Sequence, residues 1–589
     1  MSADLISPLG VCILPSPRPN AARTVTYPRY IHEILRHAGL CYAEIGLESL
    51  GDHLPDLRIL LTVGDALISD ALAEQLRTWV EEGGRWIAVG GNAGQHALFG
   101  VVVEPPAYVS FGGGAGTLGE GYLAPQVEHP AFAHLAFPLH YFNGLPMQAT
   151  DATILAAVLD AHQRTTPRAA MTEKQVGNGS CLLIAADIPG TVVHIQQGRG
   201  VMRDGISAPD GTAPVADEVL KSSDGAVLDW LFDREPVPDV PGLMAFLHPI
   251  ADQWRELLLR ALFTQAVAAG VRLPLLWLYP DNLPGLGHIS HDTDGNELAL
   301  GERLLEVVNE AEIHTTWCVI MPGYNREFIA RVAADGHELA MHYDAISDGC
   351  PWSHELFHQQ WEGLVDLFGL EPVSNKNHYL RWQGDVEFFH WCVEHCIQFD
   401  QTKGASKTGE AGFNFGTCQP YFPVDFAGNM IDVLELPTPT QDLEIFAPVA
   451  LLQPLLSAAV RHHGILHLLF HPAHIAKPGV ADALFTAVRD AKAAGFAWWT
   501  AAQINAWERA RRQVTWSGYQ AKNGTAQVTF TSGADLAGAT ILWLGEGAVN
   551  AQVNGATVAV TATTRWGFPF SAVTLDIPAQ QSTALQVSI

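Results

Sequence analysis

The chain has 589 residues, 48% of them hydrophobic and 16% charged, which is too long for a single core and too apolar for a disordered chain. Its 33 basic and 62 acidic residues leave a formal charge of −29, a field that argues against a nucleic-acid partner and favours a neutral or cationic substrate. The opening stretch MSADLISPLGVCILPSP lacks a basic leader and an unbroken apolar core, and no apolar run approaches the roughly 20 residues that cross a bilayer. The eight cysteines include no CxxC pair, as expected of reduced thiols. These features lead us to expect a cytoplasmic protein with no membrane partner.

Residues 1–240 alternate strand and helix signals. The runs Val11–Leu14, RILLTVG (58–64) and RWIAVGG (85–91) read as buried strands, with helical patterns over Tyr27–Ala38 and Asp70–Glu82. That alternation predicts a parallel sheet. From about 100 to 200 the pattern turns Gly-, Pro- and β-rich and ends in the strand CLLIAAD (181–187). The stretch TWVEEGGRWIAVGG (78–91) resembles the glutamine-amidotransferase-like, flavodoxin-like domain appended to some glycoside hydrolases. That chemistry needs a cysteine at a strand-to-helix elbow. Asn92, Ala93 and Gly94 stand there instead, so this domain is expected to be catalytically silent and to serve packing or homo-oligomerisation.

A Pro/Asp/Gly-rich connection and a helix over Ala251–Ala269 mark a linker at 241–270. Residues 271–512 then show βα alternation, with strand runs LLWLY (275–279), TTWCVIM (315–321), ELAMHY (338–343), IDVLEL (431–436), ILHLLFH (465–471) and FAWWT (496–500). The pattern predicts a (β/α) barrel, whose chemistry gathers at the C-terminal ends of its strands. Residues 513–589 break into short alternating strands, expected to form a small β-sandwich. The fold class expected is α/β, with these three domains in order.

Several of those strand ends carry chemical side chains: HISHDTDG (288–295), GHELAMHYDA (336–345), HYLRW (378–382) and LFHPAH (469–474). An Asp-x-Asp pair supplies both a hard oxygen ligand and a free base, the two things metal-assisted amide hydrolysis needs. The set resembles the polysaccharide deacetylase family, carbohydrate esterase family 4, across roughly 240 residues. The resemblance implies Asp292 as base, Asp294 and His342 as ligands of Zn²⁺ or another divalent metal, and His471 as the acid that protonates the leaving amine. It also implies Arg381 as the residue that holds Asp292. The family's second ligand histidine, four residues after the first, is Ile346 here. His378 can complete an Asp-His-His set, and Asp344 is the alternative oxygen donor. Trp382, Tyr421 and Asp442 are expected near the mouth as substrate-facing groups, Asp442 being also placed to orient His471.

A second motif competes. His354-Glu355-Leu356-Phe357-His358 spells HExxH, the helical zinc motif of metalloproteases, with Ser353 as a plausible N-cap. Three functions follow in order of preference. The first is a deacetylase-type hydrolase of C–N bonds acting on a carbohydrate or related small molecule. The others are a catalytically inactive carbohydrate-binding relative and a zincin-like protease.

Overall fold

The computed structural model describes residues 6–15, 27–104, 120–215, 219–522 and 524–588. The chain forms two compact units. One comprises residues 1–192, 253–282 and 508–589; the other comprises 193–252 and 283–507. Among the described residues no helix is long and apolar enough to cross a membrane.

In the first unit, five strands pair in parallel: Ala43–Glu44, Leu9–Ile13, Ile59–Val63, Arg85–Val89 and Gly179–Ile184, in that spatial order. The three central strands of this set are almost wholly buried, which is why they read as continuous apolar runs rather than alternating ones. The helix Asp70–Glu81 begins where Ser69 caps it, its side chain accepting from the backbone N–H of Leu72. Beyond Gly179–Ile184 the sheet turns antiparallel through Thr165–Val176 and Thr153–Asp160. The C-terminal residues form two antiparallel sheets, of four and five strands. The run LLWLY belongs with them: Pro274–Leu276 pairs antiparallel with Leu536–Leu544. It is therefore not the first barrel strand. A short apolar run marks burial, and burial alone does not say which sheet accepts the strand.

The second unit is built on an eight-stranded parallel sheet. Seven strands lie in the spatial order Leu434–Glu435, Phe399–Asp400, Ser374–Asn377, Glu338–Tyr343, Thr316–Val319, Leu286–Asp292, Ile465–Leu469, and Ala497–Trp498 also pairs with Leu286–Asp292. Two contacts show how far it curls. Lys376 Nζ donates to Ser290 Oγ at 2.6 Å, and His288 Nε2 lies 2.7 Å from Gln401 Oε1, each joining strands or strand ends that are not neighbours in the sheet. Leu304, Val308, Trp317, Phe328, Phe357 and Phe388 fill the layer of the core against the helices. Each such side chain contributes about 1.5–3 kcal/mol on burial. Gly287 lets the first strand approach Trp498, since a Cβ there would stand 2.6 Å from the indole.

Candidate metal centre and active site

The strand Leu286–Asp292 delivers two carboxylates to the sheet's C-terminal edge. Asp292 ends the strand, buried; Asp294 lies two residues on, in a turn with left-handed backbone (φ 42°). The turn is fastened at three points. Thr293 Oγ1 donates to Asn296 Oδ1, Asn296 Nδ2 donates to the Ile320 carbonyl, and Ile320 N–H donates to Thr293 Oγ1.

His342 comes from the strand Glu338–Tyr343, two strands away, and is fully buried. Its Nδ1 donates to the Lys376 carbonyl at 2.8 Å, which leaves Nε2 as the lone pair of the neutral ring. That nitrogen lies 3.4 Å from Asp294 Oδ1, and neither atom has a hydrogen-bond partner. His378, just past the strand Ser374–Asn377, brings its Nε2 to 3.7 Å from the same oxygen. Asp294, His342 and His378 thus each offer one ligand atom, all within 4.8 Å of one another. Buried, convergent and unpaired N and O atoms fit a divalent cation such as Zn²⁺, which takes this kind of Asp-His-His set. Asp344 does not join that set. Its Oδ1 stands 3.1 Å from His378 Nδ1 and also accepts the backbone N–H groups of Ile346 and Ser347. It orients the His378 ring from behind. Burial disfavours its charge, but those hydrogen bonds hold its pKa well below the usual carboxylate range.

On the other side of Asp294 stands His471, its Nε2 at 3.8 Å from Oδ2. Its Nδ1 makes a short hydrogen bond to Asp442 Oδ2, while its backbone N–H donates to Asp442 Oδ1 at 2.8 Å. Burial opposes charge on this ring, but Asp442 and then Asp292 and Asp294 push its pKa up to about 9. Asp442 is buried too, and its two histidines pull it down to about 2. The second of these is His474, whose Nδ1 lies 2.8 Å from the same Oδ2. Within the ligand set, burial raises the Asp294 carboxyl, but His342, His471 and His378 outweigh it and lower it.

Asp292 is held by a residue that sequence reasoning missed. Lys376, fully buried, places its Nζ 3.7 Å from Asp292 Oδ1. Donors run one way from it: Lys376 to Ser290 Oγ, Ser290 to His467 Nε2, and His467 Nδ1 to the Pro437 carbonyl. Arg381 is not that partner. Its guanidinium donates to the carbonyls of Leu220 and Trp382 and to Gln383, with the Trp352 ring 5.7 Å away. Trp382 and Tyr421 are also displaced from the expected role. Trp382 is 1% exposed among Phe388, Phe389 and Trp352, and Tyr421 is fully buried with its hydroxyl donating to the Gln196 carbonyl. Asp442 faces His471 rather than a substrate. His291 is buried, its Nδ1 on the Phe470 carbonyl, and burial pushes it down to about 3.

The HExxH stretch is helical, and Ser353 caps it as expected. Its histidines nonetheless diverge. His354 Nε2 faces Glu394 at 3.2 Å, and His358 joins His395 at 3.0 Å and Glu362 at 3.3 Å. Among the described residues the only His/Cys/Asp/Glu groups positioned to share an ion are Asp294–His342–His378 and Asp442–His471–His474.

No family model matches the sequence, and no curated protein matches it. Solved structures similar to part of the chain include a Mycobacterium smegmatis protein described as a polysaccharide deacetylase. It is 19% identical, the match covers 39% of this chain and 92% of that one, and the TM-score is 0.32. The Puue allantoinase is 14% identical over 39% of this chain and 91% of its own, with a TM-score of 0.30. A β-galactosidase from Bacillus circulans sp. alkalophilus is 14% identical over 33% of this chain and 31% of its own, with a TM-score of 0.25. Likenesses this slight carry no assignment of activity, which rests on the site itself.

Proposed function

We propose that the chain is a metal-dependent hydrolase that cleaves an amide C–N bond, removing the acyl group from an amino sugar or a related small molecule. One observation carries the reading. Asp294 Oδ1 and His342 Nε2 are buried, unpaired and 3.4 Å apart, with His378 beside them, Asp292 within 3.9 Å of His342 and His471 on the far side.

Asp294, His342 and His378 would hold the metal. A divalent ion bound there supplies Lewis acidity, polarising the acyl oxygen and lowering the pKa of a water. Asp292, with Lys376 Nζ 3.7 Å from its Oδ1, is the residue that would act as the base toward a water at this site. His471 is a cation at neutral pH, with Nδ1–H committed to Asp442 and Nε2–H turned toward Asp294. It is the proton source for the departing nitrogen.

The test is metal content and acetate release together, on N-acetylated sugars and simple anilides, for the wild type and Asp294→Ala. The expected result is about one divalent ion per chain and acetate release, both lost in the variant. Wild type that takes up no divalent metal, or that keeps full activity without it, would falsify the reading.

A further inference from the structure

A cavity of about 530 Å³ opens in the first unit, and no residue of the metal centre lines it. Part of its wall is the end of the helix Tyr30–His37. Gly39 and Leu40 close that helix, their N–H groups donating to the carbonyls of Arg36 at 2.9 Å and Leu35 at 3.1 Å. Gly39 is left-handed (φ 68°), and a Cβ there would stand 2.0 Å from the Leu276 carbonyl oxygen. Glycine therefore lets the chain turn in beside the strand Pro274–Leu276, where Leu40 and Leu276 both join the wall.

Arg511 and Arg512, at the end of the helix Ala501–Arg511, line the same cavity with Arg36. Their carboxylate partners, Glu33 and Glu508, are buried and are not among the described wall residues. Arg512 donates through Nη1 and Nη2 to Glu33 and through Nε to Glu508. Arg511 donates through Nε to Glu508, and through Nη2 to Glu508 and the His37 carbonyl. Its Nη1 is buried and has no partner. A buried guanidinium nitrogen without an acceptor is costly, and an anion in the cavity removes that cost. The described wall offers three arginines against one carboxylate, Glu44, in a chain whose formal charge is −29. Glu44 is itself paired with Arg36 at 2.7 Å.

We propose that this cavity binds a small organic monocarboxylate with a flat apolar body, its carboxylate accepting from Arg511 and its body lying against Leu40, Leu276 and Trp516. The volume is that of a small-molecule site, in the range of about 300–1,000 Å³. Trp516 lines the cavity and is held edge-on to Phe530 at 5.3 Å, so one large apolar face is already ordered. Two features favour a single negative charge. One guanidinium nitrogen is unspent rather than a ring of donors, which suits one carboxylate. The cavity also meets the C-terminal ends of two helices, Tyr30–His37 and Ala501–Arg511, whose partial negative charge disfavours a dianion such as phosphate. The site is independent of the hydrolase reading.

The experiment is calorimetric titration of the full chain with phenylacetate, its uncharged analogue 2-phenylethanol, and inorganic phosphate. It compares the wild type with Arg511→Lys, Trp516→Ala and Asp294→Ala, with circular dichroism confirming that each is folded. Arg511→Lys keeps the charge and removes Nη1; Trp516→Ala leaves the arginine cluster intact, so the two variants test the two halves of the site separately. We expect phenylacetate to bind at one site, with 2-phenylethanol and phosphate each at least about tenfold weaker. Arg511→Lys and Trp516→Ala should each weaken phenylacetate about tenfold, and Asp294→Ala should leave it unchanged. Wild type that does not bind phenylacetate overturns the proposal. So does binding that is lost in Asp294→Ala but indifferent to Arg511→Lys and Trp516→Ala, since the carboxylate then sits at the metal centre. Phosphate binding as tightly as phenylacetate overturns the monocarboxylate assignment.

Discussion

Two histidine-bearing regions of the second unit invite the same zinc reading and fold to opposite results. His354 and His358 are four residues apart on one helix, the spacing that lets two imidazoles share an ion. In the structure the two imidazoles face different neighbours, Glu394 for one and His395 with Glu362 for the other. Asp294, His342 and His378 come from three different strand ends, and the curl of the sheet brings them within 4.8 Å. Proximity along a helix leaves ligand direction free to be claimed by whatever packs alongside. Convergence at strand ends is imposed by the sheet, and the backs of the rings are pinned by the Lys376 carbonyl and Asp344.

The largest effect that tests this contrast is loss of the ion. Asp294→Ala is expected to abolish bound metal and activity together, whereas His354→Ala should leave both at wild-type levels, as read by elemental analysis of dialysed protein. Metal that follows His354 instead would reverse the comparison. Next in size is the proton carrier. His471→Ala should lower kcat by about 10²–10⁴ while metal content stays unchanged, the range expected for removing one general acid. Parallel loss of metal would instead make His471 a ligand.

Lys376 is the third lever. Replacing it with Met leaves Asp292 and Ser290 buried without their cation, a loss of about 3–5 kcal/mol in urea denaturation, with Lys376→Arg recovering part of it. A loss below about 1 kcal/mol would show that water already solvates Asp292.

Lys376 also shows where the sequence stopped being readable. His342 and His471 stood out because the apolar runs ELAMHY and ILHLLFH lead into them, whereas Asp292 and Asp294 were marked by the Asp-x-Asp pair and by the family resemblance. The strand carrying Lys376 is Ser374–Asn377, four polar residues that are all buried. Its side chains hydrogen-bond to one another and across the curled sheet, so no hydrophobic pattern announces it. Arg381 had that role only from the family resemblance, and the hidden strand supplies Lys376 there instead. His378 was visible as a histidine four residues past that strand's start, but its selection over Asp344 needed the ring's orientation. Trp382 and Tyr421 show a different limit: aromatic identity does not say whether a ring faces the mouth or the core. The parallel sheet was legible in part from its βα alternation, but the strands Leu286–Asp292, Ser374–Asn377 and Phe399–Asp400 carry no apolar run, and LLWLY joined an antiparallel sheet.

The His471–Asp442 pair gives a smaller effect with a defined sign. His471 is raised from 6.5 to about 9, so its contribution to folding is fully present below pH 6.5 and disappears as pH rises through about 9. Asp442 is lowered from 3.8 to about 2, so its contribution holds above pH 3.8 and disappears as pH falls through about 2. In chelator-treated protein the wild type should lose about 3 kcal/mol between pH 6.5 and 9. Asp442→Asn should remove most of that dependence. Equal slopes for the two proteins in that window would mean that the imidazole is neutral throughout.

The smallest expected effect belongs to the compact motif. His358 is about half exposed and pairs with Glu362 at 3.3 Å and with His395 at 3.0 Å. Exposed pairs of this kind contribute roughly 0.2–1 kcal/mol, so His358→Ala should shift unfolding by less than about 1 kcal/mol and leave metal content and kcat unchanged. The substitution is informative because it is nearly silent. A helix that displays the right residues at the right spacing still makes no metal site when each imidazole already has another partner. A His358→Ala variant that loses the ion would show that those partners yield to it, and the difference between the two regions would then be one of occupancy rather than geometry.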